Sequence, residues 1–543
     1  MKRNLLKVMS LMLVLTMVLS ACGSKGEESN SANTPQDPNK PVELSVFAPQ
    51  TVGIENLDVN KFSKHLEETL NIKFNWSTSP EAAFNDKKLL LLASGDYPAV
   101  ILGAGMSKAD QVKYGQQGAF IPLNDLIDQY APNIKKAMED VSYLKAGMVA
   151  PDGNIYALPK INECLHCTYY QRLWINTEWL EALDLDMPTT TEEFYQVMKA
   201  FKEKDPNGNG KADEIPFTTS NNDWGGGVET FLMNAFIYND GTGLMIKDGQ
   251  VIFAPTQPEW KEGVKYLHKL FQEGLMDKAA FTQNVDAVKQ LANKPDVVVG
   301  SVGTANIGGV FEVNDDNNTR HKAYDVVPPL KGPEGVQLAG YTVGAGSGQF
   351  VITNKATKEE QIAAIRLADY LFSEEGTVHT TWGFEGEGYK KADSSQLDYN
   401  GNPAKYDVVT KDQSSSGQTQ LANTWWQLGT MQMLNSIRES FAAPADPLGK
   451  GAIDYRLWLA AKKYEPFAKP EIVYPTDVFI DPADALIVTQ MSKTITDYVD
   501  SNLAQFVTGN KDIEKDWENY VNGFKGMQLD AYLAAYQKAL PKE

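Results

Sequence analysis

Cysteine is scarce in this chain: three residues in 543. Two of them, Cys164 and Cys167, flank His166, and one such pair with one histidine is too few ligands for a zinc site. Histidine is limited to five residues, none near a candidate nucleophile in sequence. Positive charge is in deficit, with 50 Lys and Arg against 70 Asp and Glu and a net charge of −20. That balance disfavours nucleic acid and anionic membrane surface as partners, although a local basic site can still hold an anionic ligand. No repeat period is present. The sequence also lacks a G-x-S-x-G elbow, an H-E-x-x-H helix, a P-loop and a G-x-G-x-x-G after a strand, so no reacting constellation argues for an enzyme. Carboxylates are plentiful, and their spacing alone leaves a glycosidase open.

Long apolar runs are also missing, except at the start. Lys2, Arg3 and Lys7 precede the apolar stretch from Leu11 to Leu19, which is too short for a membrane span and reads as a secretory leader over residues 1–21. Loss of those three cations leaves the remainder still more acidic. Leu19-Ser20-Ala21-Cys22 resembles the bacterial lipobox. The resemblance implies cleavage before Cys22 and acylation of its sulfur (diacylglycerol, with palmitate among the chains), and so a lipid anchor on the outer face of the cell membrane. Plain secretion with an incidental cysteine is the alternative. Residues 22–41 are rich in Ser, Asn, Gly, Pro and acids and read as a flexible tether. Outside the cytoplasm Cys164 and Cys167 are expected to form a disulfide, with free thiols or a metal or redox role as the alternatives.

What is present in abundance lies between Leu173 and Phe217. Pro188 and two overlapping capping boxes, Thr189 with Glu192 and Thr190 with Glu193, mark a helix start. Phe194, Val197, Met198 and Phe201 then line one apolar face. The helix runs into Asp205-Pro-Asn207-Gly-Asn209-Gly210-Lys211-Ala-Asp213-Glu214, with oxygen side chains at alternate positions and a glycine at the sixth. That is the first half of an EF-hand-like Ca²⁺ loop. Its twelfth position is Pro216, so Glu214 is the candidate bidentate carboxylate. The expected ligands are Asp205, Asn207, Asn209, the Lys211 carbonyl, Asp213 and Glu214, in a structural role; the alternative is a polar Asn-Gly turn that binds nothing.

The run W-I-N-T-x-W-L-E-x-L-x-L-x-x-P-T-T-x-x-E-F from Trp174 and the D-P-N-G-N-G-K-x-D-E-I-P loop resemble the family 1 extracellular solute-binding lipoproteins of bacterial ABC importers. The likeness is strongest to the long oligosaccharide-binding branch, which includes alginate-oligosaccharide binders. It implies calcium in the loop, with Glu214 as a ligand. It also implies a two-lobed, class II periplasmic-binding-protein-like α/β fold with an inter-lobe cleft and extra C-terminal helices. On that reading residues 42–168 and 335–390 form the N-terminal lobe, and 169–334 and 391–543 the C-terminal lobe. The chain, expected as a monomer, captures an oligosaccharide and delivers it to permease subunits of an ABC transporter. The competing classes are a lipid-anchored carbohydrate-active enzyme and an extracytoplasmic sensor or adhesion lipoprotein.

The rest of the chain fits an α/β fold. Strands at Glu43–Ala48, Asn71–Trp76 and Ala99–Leu102 alternate with helices at Asn60–Leu70 and Glu81–Ser94, which predicts βαβ units and a parallel sheet. Asp152-Gly153 predicts a tight turn between two strands. The chain is expected to cross between lobes at Tyr169–Trp174 and to return within Leu330–Tyr341. For the ligand, a sugar's apolar C–H face stacks on flat aromatic rings while carboxylates, amides and arginine take its hydroxyls. Trp224, Trp382, Trp425 and Trp426 lie in Gly-, Asn- or Thr-bearing stretches without amphipathic pattern and are candidate stacking residues. Burial in a core is the alternative for each. Glu385 and Tyr389, in a segment resembling the family's Trp/Tyr-Gly-x-Glu-Gly, and Asp96 and Arg172 are candidate polar contacts. A neutral sugar is favoured because no Arg/Lys cluster stands out.

Overall fold

The computed structural model describes residues 40–141, 143–221, 223–315, 317–342, 344–409, 422–428, 432–475 and 478–540. The expected leader, Cys22, nearly all of the expected tether and the polar loop 411–420 lie outside the described residues.

Two sheets organise residues 42–543. In the first, the strands Val42–Gln50, Ile72–Pro80 and Val100–Met106 are joined by helices Lys61–Leu70 and Glu81–Ser94. Val42–Gln50 lies between the other two and pairs parallel with both. The βαβ pattern read from the sequence is therefore present, with strands a few residues longer than expected. The sheet is not parallel throughout: Gly348–Ile352 pairs antiparallel with Val100–Met106 and with the short strand Leu158–Pro159. The second sheet has the spatial order Tyr324–Val326, Leu173–Asn176, Val299–Gly303, Ile215–Thr219 and is also mixed. The chain thus leaves the first sheet after Pro159, enters the second at Leu173, and returns between Val326 and Gly348. The turn at Asp152-Gly153 forms, with Gly153 N–H donating to the Ala150 carbonyl, but Leu144–Met148 before it is helical and no hairpin results.

Local chemistry accounts for the element ends. The Asn60 side chain accepts from the N–H groups of Phe62 and Ser63 and starts its helix. At Thr191–Glu203 one capping box forms, between Thr190 and Glu193. The Glu193 carboxylate also takes the Thr189 hydroxyl and N–H, so Glu192 is left out of the cap. Phe194, Val197, Met198 and Phe201 are buried as the helical period requires.

Each sheet has its own apolar core. Leu44, Val46, Phe74, Leu102 and Phe350 centre the first; Trp174, Phe194, Phe201, Phe217 and Val302 centre the second. The C-terminal helices Ile453–Lys462, Pro482–Thr508, Ile513–Gly526 and Leu529–Ala539 pack onto the second core. The segment 422–428 does not follow them, although the sequence reading placed it in the C-terminal lobe: Trp425 and Leu428 are buried in the first core.

Candidate functional site

The first crossing builds one wall of a cavity. After Leu158–Pro159 the chain makes the short strand Ile161–Asn162 and the helical turn Leu165–Thr168, in which Cys164 and Cys167 are joined as a disulfide. A cavity of about 520 Å³ is lined here by Lys160, Asn162, Glu163 and Thr168 of the outgoing chain and by Thr342 and Gln349 of the returning chain. Lys160 holds its ammonium 5.0 Å from the centre of the Trp426 ring. Burial first, and then Arg438, lower its pKa. The half-buried Trp426 has an indole N–H without a hydrogen-bond partner among the described residues.

A buried polar network backs this wall. Arg438 bonds Asp454 at 3.1 Å and Asn162 at 3.2 Å, and the Tyr399 hydroxyl donates to Asp454 at 3.0 Å. His166 sits 3.8 Å from Asp454, and burial pushes its pKa down to about 3, so the imidazole is neutral at physiological pH. Each charge is matched, which is what permits ionised groups to be buried here.

Two positions beyond Thr168, Tyr170 carries the aromatic face of the second lobe. Trp224 is 44 % exposed and stacks on Tyr170, with ring centres 6.1 Å apart and planes 12° from parallel. Tyr170 is fixed from below, its hydroxyl donating to the Asp240 carbonyl at 2.7 Å. The Trp224 loop is pinned to the sheet by Ala305 N–H on the Trp224 carbonyl and by the Thr304 hydroxyl on Asp223. Gly225 has φ +73°, and a Cβ there would meet the Ala305 nitrogen and the Tyr170 carbonyl at 2.6 Å, so this close approach requires glycine. Asp240 is buried, one carboxylate oxygen has no partner among the described residues, and burial raises its pKa to about 6.

The other expected ligand contacts are placed elsewhere. Trp425 is fully buried, donates its indole N–H to the Ser63 hydroxyl at 3.0 Å and is enclosed by Phe62, Phe74 and Trp76, so it offers no open face. Trp382 lies flat on Phe441 at 4.1 Å in a small separate cluster. Tyr389 is buried edge-on against Tyr406, and Glu385 beside it is exposed. Asp96 is exposed, on the turn after Gly95, its N–H donating to Ser94. Arg172 is fully buried and spends its guanidinium on the Ala305 and His166 carbonyls, so it braces the crossing. Sequence reasoning missed Lys160, Tyr170 and Asp240. The Tyr169-Tyr170 pair at the crossing was the one available signal.

The oxygen-rich loop after Glu203 is folded around its own polar atoms. Asp205 accepts from the N–H groups of Asn209 and Gly210 at 3.1 and 3.0 Å, and the Asn209 side-chain oxygen accepts from Lys211 N–H at 2.8 Å. The Asn207 and Asn209 amides donate to Asp213. The Lys211 ammonium turns away to Asp296 at 2.7 Å, so its carbonyl is what it has to offer a cation. Glu214 has a buried carboxylate oxygen without a partner among the described residues. Its pKa is raised by burial and then by Asp205 and Asp213. Three carboxylates gathered in one loop, with the nearby Lys211 ammonium paired to Asp296, fit a hard divalent cation.

The chain matches the profile of the family described as bacterial extracellular solute-binding protein over residues 54–378. It is 30 % identical to the fructooligosaccharide ABC transporter substrate-binding protein FusA of Streptococcus pneumoniae, over 96 % of this chain and 95 % of that protein. It is 27 % identical to the lipoprotein LipO of Bacillus subtilis, over 69 % and 72 % of the two chains. The FusA structure in complex with kestose superposes with TM-score 0.71 at 28 % identity, covering 91 % of this chain and 98 % of that one. A FusA EF-hand mutant in complex with fructo-nystose gives 0.70. The alginate-binding protein AlgQ2, solved without calcium ion, shares the fold with TM-score 0.61 at 22 % identity, covering 92 % of this chain and 98 % of that one. The fold is accordingly the two-domain, periplasmic-binding-protein-like one expected from the sequence. The chain belongs to the bacterial extracellular solute-binding protein family.

Proposed function

We propose that this chain captures a neutral oligosaccharide between its lobes and presents it to the permease of an ABC importer. The observation that carries the reading is the Trp224–Tyr170 stack, an open aromatic plane on the second lobe two residues along the chain from the polar cavity at the crossings. A sugar ring lays its C–H face on the indole, while Asn162, Glu163, Thr342 and Gln349 supply amides, a carboxylate and a hydroxyl for its rim. Lys160 is the one cation lining that cavity among the described residues, and the chain's net charge is −20, so repeated uronic acids would meet little to neutralise them. Fructooligosaccharides head the candidates, because the relative at 30 % identity is named for them. Two sheets joined by two crossings suit hinge closure over the ligand.

The loop Asp205–Glu214 is proposed to hold a structural Ca²⁺. Support comes from the Glu214 oxygen, unpartnered among the described residues, and from the FusA EF-hand mutant and the calcium-free AlgQ2 among its structural neighbours. The lipobox-like Cys22 is proposed to anchor the chain to the outer face of the membrane, in keeping with a lipoprotein among its relatives.

The test is a thermal-shift and calorimetric panel in calcium buffer, with kestose, nystose, neutral gluco- and galacto-oligosaccharides, oligo-uronates, and peptides as controls. Ligand at a hundred times its Kd adds about 2.7 kcal/mol of stability. A saturable shift with a neutral glycan and none with uronates or peptides is expected. Binding of peptides alone would overturn the proposal.

A further inference from the structure

Two of the five histidines come together on the first lobe, in a place unrelated to the sugar cavity. His65 lies in the helix Lys61–Leu70, and Glu375 and His379 lie four residues apart on one face of the helix Glu374–Trp382. One ligand atom from each of the three falls within 4.8 Å of the others. The hydroxyl of Tyr370, from the preceding helix Lys358–Leu371, stands among them, 3.0 Å from His65 Nε2 and 3.1 Å from His379 Nδ1. Glu375 Oε1 is 4.0 Å from that same Nδ1. Two imidazole nitrogens thus point at a common centre, with a carboxylate in reach of it.

From this convergence we infer a divalent transition-metal site formed by His65, Glu375 and His379, with the Tyr370 oxygen or a water in the fourth position. Borderline-soft ions such as Zn²⁺ prefer a set of two imidazoles and one carboxylate, whereas Ca²⁺ seeks only oxygens, so this centre and the Asp205–Glu214 loop select different metals. Ligand distances of about 2.0–2.2 Å require only that the side chains close in on the point Tyr370 now occupies. Glu375 is exposed and Tyr370 half-buried, so both can move. Phe384 packs 5.3 Å from His65 and 4.9 Å from His379 and forms an apolar wall behind the imidazoles. The residues brought together are more than 300 positions apart, so a bound ion would clamp the first helix of the lobe to the helices that follow the return crossing.

The test uses the full chain, stripped of metal, resupplied with excess calcium and kept without reductant so that Cys164 and Cys167 stay bonded to each other. One equivalent of Co²⁺ is expected to give a tetrahedral d–d spectrum that Zn²⁺ abolishes, and Zn²⁺ is expected to raise the Tm. His65→Gln and His379→Gln should each weaken the metal by about tenfold or more, because loss of even an outer partner of a metal ligand costs about 10–100-fold. His268→Gln, at a histidine of the helix Pro258–Gln272 outside the cluster, keeps all three ligands, should keep the spectrum and serves as the folded control. A flat cobalt titration of the wild-type chain, or an identical zinc-induced shift in the His65→Gln/His379→Gln pair, would overturn the proposal and leave a hydrogen-bonded trio only.

Discussion

The two tryptophans Trp224 and Trp425 provide the sharpest contrast between a binding and a packing role. Trp224 is 44 % exposed and rests on Tyr170, whereas Trp425 is fully buried and hydrogen-bonded to Ser63. A sugar ring on the Trp224 face removes roughly 60 Å² of apolar surface from water, and at ~25 cal/mol per Å² that is about 1.5 kcal/mol. Trp224→Ala should therefore weaken oligosaccharide binding about tenfold. Its unfolding midpoint should barely move, since Tyr170 keeps its bond to Asp240 and the loop keeps its bonds through Asp223 and the Trp224 backbone. Trp425→Ala should do the reverse. Removing a buried indole costs about 3–5 kcal/mol of stability, and the folded fraction should still bind sugar. Isothermal titration gives the affinity and urea unfolding gives the stability, so each variant has two readouts. If Trp224→Ala bound the best glycan of the panel as the wild type does, the assignment of the Trp224–Tyr170 plane as the sugar platform would be refuted.

Further outcomes follow from the same structure. Chelation should lower the Tm and calcium should restore it, by about 2.7 kcal/mol when calcium stands at a hundred times its Kd; Glu214→Gln should blunt the response, and an unchanged melt of calcium-free protein would refute the loop as a calcium site. Glu229, whose pKa burial and then Asp500 raise from 4.5 to about 7, is an acid easier to protonate when folded. Its contribution is then fully present below about pH 4.5 and lost as pH rises through about 7. Glu229→Gln should accordingly stabilise the protein at pH 8, by at most about 3 kcal/mol at 1.36 kcal/mol per pKa unit, and should change little at pH 4; equal effects at both pH values in urea melts would contradict this. Reduction of Cys164–Cys167 should cost about 2 kcal/mol, the chain-entropy value for so short a loop; urea midpoints with and without reductant measure it.

The legible parts of this molecule are those whose partners are neighbours in sequence. The Thr190–Glu193 box, the apolar face from Phe194 to Phe201 and the turn in which Asp205 accepts from the N–H groups of Asn209 and Gly210 each close within one or two turns of chain. Residue type and spacing therefore carry the whole signal. The βαβ start was readable for the same reason, since strand, helix and strand follow one another. The antiparallel pairing of Gly348–Ile352 was not: the family likeness returned that stretch to the first lobe, but no local pattern records Val100–Met106 as its partner.

The aromatic residues show why a cleft is harder to read than a loop whose partners are local. Trp425 and Trp426 are adjacent in the same polar stretch, yet one is sealed in a core and the other half-buried beside Lys160. The difference is imposed from a distance. The Asn60 amide holds the carbonyls of Ala422 and Thr424, and Phe62 N–H holds that of Asn423, so the segment is stitched to the first helix across some 360 residues of chain. Once it is fixed there, Trp425 has only the pocket of Phe62, Phe74 and Trp76 to fill, and Trp426 is turned toward the crossing. Trp224 is the opposite case. Gly225 brings its loop against Ala305 and Tyr170, which leaves the indole supported on one face and open on the other. Composition marks both tryptophans alike. What separates them is which backbone atoms the fold brings to their loops. A single Ala side chain at Gly225 should consequently lift Trp224 off Tyr170 and weaken sugar binding as much as removal of the indole itself.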